Sequence, residues 1–447
     1  MQYSLVKGKI WKQILKFFFP ILIGTFFQQL YNTVDTIIVG QYVGTQTLAA
    51  VGSTGNLISL LVDFFVGLSS GTTVLIAQFF GANQEHRVSK TVHTSFALAI
   101  VCGLIMTLFG LFFSGKCLNM MGVPSDILEA ATLYMRLYFL GGIPLVVYNI
   151  GTGVLRAIGD SHTPLIYLMI CTFINIVLDY IFIVYFYMGI AGAGIATAIA
   201  QFVSALLVCY KLIKAKGCYQ LCLKKIEFDT EILKNVLKIG IPAGLQAVMY
   251  AVSNIILQVK INSFGTSMIA AWTVYCKIDA LFFMIAAAYS SALTTFVGQN
   301  YGAGLYTRVR QGMKICIGML SISAIFLSIC LMTFGRQIAS LFSNDSQVIL
   351  ETVQIIYYIV PYYVTYSGAE IISATMRGCG DAFKPMIIVC CGVCLLRILW
   401  VIGIPDMFAS FHMVVVCYPI SWAATSILFV GYYQNFKNRF LKSVKNI

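Results

Sequence analysis

Charged side chains are scarce in this sequence: only 10% of its 447 residues are Asp, Glu, Lys or Arg, whereas 59% are apolar. So little charge excludes a chain with a mainly water-facing surface. Histidines are also few, and His86, His93, His162 and His412 lie too far apart to make a metal-ligand motif. The glycine-rich stretch GAGIAT from Gly192 follows no predicted strand and lacks the third glycine of a dinucleotide site. We therefore expect neither a resident cofactor nor a nucleotide-dependent enzyme.

The sequence instead contains apolar runs long enough to cross a bilayer. A transmembrane helix needs about 20 predominantly apolar residues. Twelve such runs centre near Ile23, Leu61, Ile105, Tyr148, Ile174, Ala205, Tyr250, Ile285, Leu320, Val364, Leu395 and Ala424. They predict an all-α polytopic membrane protein with twelve transmembrane helices and the lipid bilayer as a partner. Most of the 14 cysteines fall inside these runs, so we interpret them as small packing residues.

The basic residues are distributed unevenly between the two sides of the predicted bundle. If the N-terminus is cytoplasmic, the outside loops carry only Lys116 and Arg336, and nearly all other Lys and Arg residues lie inside. This is the positive-inside pattern. It predicts a multi-pass protein of the cytoplasmic membrane of the cell, with both termini in the cytoplasm. The net charge of +13 then sets topology and indicates no nucleic-acid partner.

One motif returns at a fixed distance along the chain. LRAIGDSHTPL, residues 155–165, recurs as MRGCGDAFKPM, residues 376–386, after a shift of 221 residues. The same shift superimposes Ser69, Ser70, Thr73, Gln78 and Gly81 on Ser290, Ser291, Thr294, Gln299 and Gly302. The chain is therefore predicted to be two six-helix lobes related by internal duplication. Two lobes around a central cavity are typical of transporters, and their presence in one chain favours a monomer.

The duplication gives boundaries for the predicted domains. Residues 1–215 form the N-terminal six-helix lobe, residues 216–233 a basic cytoplasmic linker, and residues 234–447 the C-terminal six-helix lobe. The recurrent motif follows the fourth span of each lobe on the cytoplasmic side, where Gly and Pro end a helix. Its shared members are Arg156, Gly159, Asp160, Arg377, Gly380 and Asp381. Either each Arg pairs with the Asp across the turn, or these charges are solvated and serve topology alone.

The buried acids break the repeat. Asp35 corresponds to Ile256, and the Asn175 and Asp179 pair of the fifth span corresponds to Leu396 and Trp400. Spacing of four residues places Asn175 and Asp179 on one helix face. The same periodicity makes a polar stripe of the first helix from Gln28, Asn32 and Asp35. Because an intramembrane carboxylate is costly to expose to lipid, both stripes are expected to face the interior of the N-terminal lobe.

Two neighbouring carboxylates in a low-dielectric interior cannot both ionise cheaply, so they share a proton or hold a cation. Oxygen ligands suit a hard cation such as Na⁺, and the same acids suit H⁺, so the sequence leaves the ion open. The alternative is that these residues only hydrogen-bond neighbouring helices. The sequence assigns no role to the remaining membrane charges, which either face a cavity or are structural: Asp63, Arg136, Lys277, Asp279 and Arg397.

The twelve spans in two units, the first-span sequence FFFPILIGTFFQQLYNTVDTIIVG and the paired LRAIGD and MRGCGD turns resemble the multidrug and toxic compound extrusion (MATE) family. The resemblance covers essentially the whole chain. It implies a prokaryotic-type proton or sodium site in the N-terminal lobe, formed by Asp35, Asn175, Asp179 and Thr197. Another branch of the family has acids on the seventh and tenth spans. Here Gln246 stands on the seventh span, and Glu370 has a different spacing, so a C-lobe sodium site is not expected.

The resemblance also implies function: an antiporter that exports organic cations and amphipathic drugs by alternating access, driven by H⁺ or Na⁺. We interpret Met249, Tyr250, Met284 and Glu370 as candidate lining of a substrate cavity, since Met and aromatic side chains make adaptable apolar and cation-π contacts. Ordinary helix packing is the alternative for these residues.

Other classes of function fit the sequence less well. A flippase for a lipid-linked saccharide would need a basic cavity for pyrophosphate, and the membrane Arg and Lys residues are few and scattered. A passive channel would not need an acidic site that is present in only one half of a duplicated chain. An intramembrane enzyme is not expected either, because Asp35 and Asp179 stand without a recognisable catalytic motif.

Overall fold

The computed structural model describes residues 5–403 and 410–445, and all regular elements in these ranges are helical. The predicted all-α fold is confirmed. The helices of the first half are α1 Ile10–Tyr42, α2 Thr45–Gly81, α3 Glu85–Met120, α4 Ser125–Leu140, α5 Gly142–Ala157, α6 His162–Tyr180 and α7 Gly189–Ile213. Those of the second half are α8 Thr230–Ile261, α9 Thr266–Gly302, α10 Tyr306–Ser340, α11 Ser346–Ile359, α12 Tyr363–Gly378, α13 Phe383–Val389, α14 Leu396–Gly403, α15 Phe411–Val415 and α16 Cys417–Lys445.

Membrane-spanning length and apolarity recur throughout these helices. In the described ranges, eleven helices qualify as spans, where α11–α12, α13–α14 and α15–α16 each count as one. The pair α4 and α5 also qualifies together and is bent by 47° between Leu140 and Gly142. Counting this bent pair as one span gives twelve, as predicted from the apolar runs.

The internal duplication is visible in where the helices begin. The first residues of α2 to α6 each differ by 221 from the first residues of α9 to α13, the shift found in the sequence. The turns before α2 and α9 also match, because Gly44 and Gly265 have φ values of 113° and 97°. Only glycine adopts this backbone conformation readily. The duplicated sequence therefore encodes duplicated helix boundaries.

The chain divides into two compact units. Unit 1 comprises Phe19–Gly244 with the segments Met1–Lys7 and Gly298–Gly304. Unit 2 comprises Leu245–Val297 and Leu305–Ile447 with Gly8–Phe18. The lobe and linker boundaries drawn from the repeat, at residues 215 and 234, stay a prediction.

Close helix crossings within unit 1 depend on glycine. Two G-x-x-x-G sequences, GLSSG on α2 and GIPAG on α8, face each other at Gly67 and Gly244. A Cβ on Gly67 would lie 2.6 Å from the Gly244 Cα, and one on Gly244 would lie 2.7 Å from the Phe64 carbonyl oxygen. Small residues at such spacing allow two helix backbones to touch, which gives close van der Waals packing in a membrane.

The repeated Gln and Gly near the ends of α2 and α9 make a reciprocal contact in unit 1. A Cβ on Gly81 would overlap the carbonyl oxygen of Gln299, and one on Gly302 would overlap that of Gln78. The Gln299 side chain is fully buried, donates 2.8 Å to the Ala157 carbonyl and accepts 2.8 Å from the Leu5 N–H. This pair of crossings fixes the end of α2, the helix that forms one wall of the site described below.

The recurrent turn motif ends one helix and begins the next. Gly159 and Gly380 have φ values of 100° and 92°, and their N–H groups each donate 2.9 Å to the carbonyl of the motif's Arg. Asp160 accepts bonds from the N–H and hydroxyl of Thr163, at 3.0 and 2.6 Å, in the first turn of α6. The left-handed glycine and the acceptor carboxylate are both helix-terminus devices. The motif therefore has a local structural explanation.

The Arg–Asp pairing across this turn, one of the two alternatives that the sequence left open, is not formed. Asp160 uses its carboxylate on Thr163, and Asp381 lies 3.8 Å from Lys384 Nζ and accepts a 3.0 Å bond from the Tyr432 hydroxyl. Arg377 donates 3.0 Å to Ser290 instead. The carboxylates find closer donors than the arginines because each arginine belongs to the preceding helix. The other reading, solvated charge alone, also fails at Asp160, which is buried.

The basic stretch after α7 is docked on α3. The Cys222 N–H donates 3.1 Å to His93 Nε2, and the Thr94 hydroxyl donates 3.2 Å to the Glu227 carbonyl. Asp229 accepts bonds from the Glu231 and Ile232 N–H groups at the start of α8. The hydrogen bond from Ile232 and the 2.9 Å ion pair with Lys90 lower the pKa of Asp229.

Candidate functional site

A cavity of about 640 Å³ lies inside unit 1 between α1, α2 and α4. The predicted polar stripe of the first helix faces it, since Gln28, Asn32 and Asp35 all contribute to its wall. Its lining residues are Gln28, Gln29, Tyr31, Asn32, Asp35, Thr36, Leu48, Val51, Gly52, Thr54, Gly55, Ile58, Ser59, Val62, Asp63, Tyr134 and Tyr138. The wall therefore combines amides, hydroxyls, aromatic rings and two carboxylates with aliphatic side chains.

Asp35 lies deep in this wall, and its residue is only 5% exposed. Its Oδ1 atom is buried and has no hydrogen-bond partner within the described part of the chain. Gln28 and Asn32, by contrast, are exposed and open to the cavity space. A buried acceptor without a partner is costly and rare in native proteins, so Asp35 offers an unfilled position for a proton or cation.

Asn175 and Asp179 lie one turn apart on α6, as their spacing predicted. They are 1% and 0% exposed. Both carboxylate oxygens of Asp179 and both polar side-chain atoms of Asn175 are without a hydrogen-bond partner among the described residues. A π-helical turn, Ile181–Tyr185, begins two residues after Asp179, at the end of α6. Such turns are rare and recur at functional sites.

Thr197 on α7 is buried, and its Oγ1 accepts a 3.3 Å hydrogen bond from the Tyr31 hydroxyl. Thr197 and Asn175 both line a second, smaller cavity of about 100 Å³. Gln28, Tyr31 and Tyr138 line both cavities, so they separate the two spaces. Asp179 lines neither of them. The four predicted coupling residues thus lie in one interior region of unit 1, on α1, α6 and α7.

Asp35 and Asp179 also interact electrostatically. Both carboxylates also act on the Tyr31 hydroxyl. Repulsion between two buried carboxylates opposes ionisation of both. A bound Na⁺ would meet carboxylate, amide and hydroxyl oxygens here, and these are the ligands that hard cations prefer. One proton on the pair would remove the same repulsion, so the donor set fits either ion.

Three tyrosines of the site were not predicted from the sequence. Tyr31 precedes Asp35 by one helical turn, so helical periodicity could have identified it. Tyr134 stands next to Asp35, and Tyr138 follows it by one turn of α4. The α4 helix carries few charged residues in this region and no repeat signal, so its sequence gave no reason to select these two. Their rings complete the aromatic part of the cavity wall.

Three membrane charges of unit 2, those of Asp279, Glu370 and Arg397, form hydrogen bonds. Asp279 accepts from the Tyr275 and Tyr363 hydroxyls at 3.1 and 2.6 Å, and Glu370 accepts from the Tyr366 hydroxyl at 2.8 Å. Arg397 is buried, donates 3.0 Å to Ser421 and stacks over the ring of Tyr418, with Cζ 3.9 Å from the ring centroid. Both acids have tyrosine donors within unit 2, whereas in unit 1 both oxygens of Asp179 and one of the two oxygens of Asp35, Oδ1, are left without a donor among the described residues.

The other predicted substrate-cavity residues also belong to unit 2. Met249, Tyr250, Met284 and Glu370 are half-buried, and none of them lines either of the cavities described in unit 1. Their role in binding substrate stays a prediction. Lys277 is exposed and Asp279 buried, so the two point to different faces of α9, and Arg136 is exposed on α4.

Comparison with known proteins gives a consistent picture. The MatE family model matches residues 20–181 and 242–401, one match in each half of the duplication. The chain is 28% identical over 442 residues to the probable multidrug resistance protein YoeA of Bacillus subtilis, covering 96% of this chain and 94% of the relative. It is 25% identical over 384 residues to the FAD transporter of Shewanella oneidensis, covering 84% of this chain and 83% of the relative.

A solved structure shares the whole fold. The crystal structure of MATE in the bent conformation superimposes with a TM-score of 0.92 at 24% identity, covering 99% of this chain and 98% of that one. Members of the matched family are transporters, not enzymes. With a family model that covers both halves of a duplicated, membrane-spanning bundle, this chain belongs to the MatE family of multidrug efflux transporters.

Proposed function

We propose that the protein is an antiporter that exports organic cations and amphipathic drugs in exchange for inward H⁺ or Na⁺. One observation carries the coupling assignment: Asp35, Asn175 and Asp179 are buried together in unit 1 with polar atoms that lack hydrogen-bond partners among the described residues. Purely structural polar residues in a membrane normally satisfy each other. The membrane acids Asp279 and Glu370 of unit 2 follow that rule, whereas Asp179 and the Oδ1 atom of Asp35 in unit 1 do not.

The arrangement links ion binding to conformation. An ion bound at Asp35, Asn175, Asp179 and Thr197 fills vacant acceptors and removes repulsion between two carboxylates, so it favours the conformation in which these groups are close. Release of the ion restores the repulsion between the carboxylates and favours the alternative conformation, in which these groups lie farther apart. A substrate that binds this alternative conformation more tightly is then exchanged for the ion by thermodynamic linkage.

Substrate class follows from the chemistry of the larger cavity. Its wall has two carboxylates and three tyrosine rings and, among the described lining residues, no Lys, Arg or His. Carboxylates and aromatic faces attract organic cations. The same wall repels phosphates, so it disfavours both an anion such as the FAD named for the Shewanella relative and the pyrophosphate of a lipid-linked saccharide. Relatives named as probable multidrug resistance proteins support drugs as the exported substrates.

Topology completes the proposal. The charge asymmetry of the loops supports insertion in the cytoplasmic membrane with both termini in the cytoplasm. In that orientation the exporter would use the inward gradient of H⁺ or Na⁺ that such a membrane maintains. Internal duplication supplies two lobes from one chain, which supports function as a monomer.

The test is ethidium efflux from proteoliposomes with a pH gradient and a sodium gradient imposed separately. Wild-type efflux should respond to one gradient, and Asp35→Asn should abolish the response while the variant inserts and elutes as the wild type does. Asp126→Asn, an exposed substitution in the first turn of α4, provides a matched control. Efflux that ignores both gradients, or a wild-type rate in Asp35→Asn, would refute the coupling assignment.

A further inference from the structure

Asp63 is a carboxylate at the middle of the membrane-spanning helix α2, yet it is not buried. Its side chain lies in the wall of the larger cavity of unit 1 and is exposed to that space. It has neither an ion pair nor a hydrogen bond with the residues that the structure describes. Charged groups within a membrane span are costly and almost always serve a pathway or a partner. Within the protein described, Asp63 has no partner.

The cavity around Asp63 has the dimensions and charge of a site for an organic cation. Its volume of about 640 Å³ lies within the usual range for small-molecule sites, about 300–1,000 Å³. Asp35 supplies a second carboxylate with a buried, unpartnered oxygen, and the described wall residues provide no cationic side chain to neutralise either acid. A drug-sized cation would neutralise one of these two carboxylates.

The two acids of the cavity differ in accessibility. Asp35 is almost fully buried and interacts electrostatically with Asp179, so its open oxygen is reached most easily by a small ion. Asp63 is exposed beside Gly52, Gly55 and Ser59, which lie on the same side of α2. A Cβ added at Gly52 or Gly55 would meet no atom within 4 Å, so there is open space next to the Asp63 side of the wall. Tyr138 lies within electrostatic range of Asp63 and offers an aromatic face.

We propose that Asp63 is the specificity-determining counter-charge for cationic substrates, while Asp35 and Asp179 serve the coupling ion. This assignment rests on the proposed export of organic cations. In this assignment the substrate and the ion bind different carboxylates of one cavity region. Each ligand affects binding of the other through the electrostatic field of the carboxylates and through the conformation of the protein. Substrates without a net positive charge gain little from Asp63 and bind mainly through the aromatic wall.

Binding to purified protein in lipid nanodiscs tests the assignment without relying on transport. The probes are a permanently cationic rhodamine ethyl ester and its free acid, a zwitterion with the same chromophore. Wild type should prefer the ester, and Asp63→Asn should weaken ester binding about ten-fold while free-acid binding changes by no more than about two-fold. Asp63→Glu keeps the charge and should retain most of the preference, and Asp126→Asn should leave both affinities unchanged.

A matched variant at the ion site separates this proposal from the antiporter proposal. Asp35→Asn should preserve most of the preference for the ester although it abolishes gradient-driven efflux. The Asp63 assignment is overturned if wild type shows no preference, if Asp63→Asn keeps it, or if Asp35→Asn loses it equally. Efflux that is insensitive to both gradients would refute coupling alone, since the binding preference would still report on Asp63.

Discussion

The Tyr31 hydroxyl donates a 3.3 Å hydrogen bond to Thr197 Oγ1 and so joins α1 to α7 beside the buried carboxylates. A threonine oxygen has two lone pairs, so this bond leaves one acceptor position and the hydroxyl proton for another group. Thr197 can therefore serve both as a helix-to-helix contact and as an ion ligand. The two roles respond differently to mutation.

Replacing Thr197 with Val should weaken coupling more than replacing Tyr31 with Phe. Val removes the ligand oxygen with little change in shape, whereas Phe removes only a neutral hydrogen bond, which contributes about 1 kcal/mol. We expect Thr197→Val to raise the ion concentration for half-maximal efflux several-fold and Tyr31→Phe to change it less. Efflux rates measured across a range of H⁺ or Na⁺ concentrations provide the comparison. Equal effects would indicate that the hydroxyl pair only packs the helices.

Asp179→Asn should abolish coupled efflux yet leave the protein at least as thermally stable as the wild type. The substitution removes one of two buried carboxylates that repel each other, and neither oxygen of Asp179 has a hydrogen-bond donor among the described residues. If relief of repulsion amounts to about 1 kcal/mol, the Tm of a chain this large should rise by about 2 °C. A thermal unfolding scan in detergent measures the shift.

Asp279→Asn is the control for that prediction. Asp279 accepts two tyrosine hydroxyls, so its replacement by an amide weakens satisfied hydrogen bonds and should lower the Tm. Similar losses of stability in Asp179→Asn and Asp279→Asn would place Asp179 among ordinary structural residues.

Gly55→Leu should close part of the larger cavity and slow export of bulky substrates. Because a Cβ at Gly55 meets open space, the leucine can enter the cavity without moving the backbone. We expect efflux of a large dye to fall about ten-fold relative to wild type and efflux of a small quaternary ammonium ion to fall less. Gly318→Leu, at an exposed helical glycine of α10 with equally open surroundings, should leave both rates unchanged. An equal fall in the efflux rates of both substrates would argue against a role of this cavity in binding substrate.

Gly81→Ala should destabilise the protein, although alanine normally favours a helix by about 0.5–1 kcal/mol over glycine. The added methyl group would overlap the Gln299 carbonyl, and forcing extra atoms into a packed contact costs about 1–3 kcal/mol. The Tm should therefore fall, whereas Gly318→Ala should raise it slightly. An unchanged Tm in Gly81→Ala would mean that the crossing relaxes without cost.

Much of the fold could be predicted because its signals are local or periodic. Apolar runs of sufficient length identify spans, and the shift of 221 residues between LRAIGD and MRGCGD carries over to the first residues of five helix pairs. The bend between α4 and α5 could not be read from hydropathy, since it changes direction without interrupting the apolar run near Tyr148. The Arg–Asp pairing failed for a similar reason: sequence proximity does not reveal which donors lie nearer, and Thr163 does.

The sequence by itself determined that this chain crosses the membrane as a duplicated helical bundle and that Asp35, Asn175 and Asp179 break the duplication. Those properties depend on the hydrophobicity of the residues and on their spacing along the chain, and both can be read directly from the sequence. Only the tertiary structure decided that Asp179 and the Oδ1 atom of Asp35 lack hydrogen-bond donors among the described residues while Asp279 and Glu370 have them. It also decided that Asp63 is exposed to a cavity while Asp35 is buried in the wall of the same cavity. Whether a carboxylate is satisfied, vacant or accessible depends on side chains from helices far apart in sequence, and packing alone brings those together.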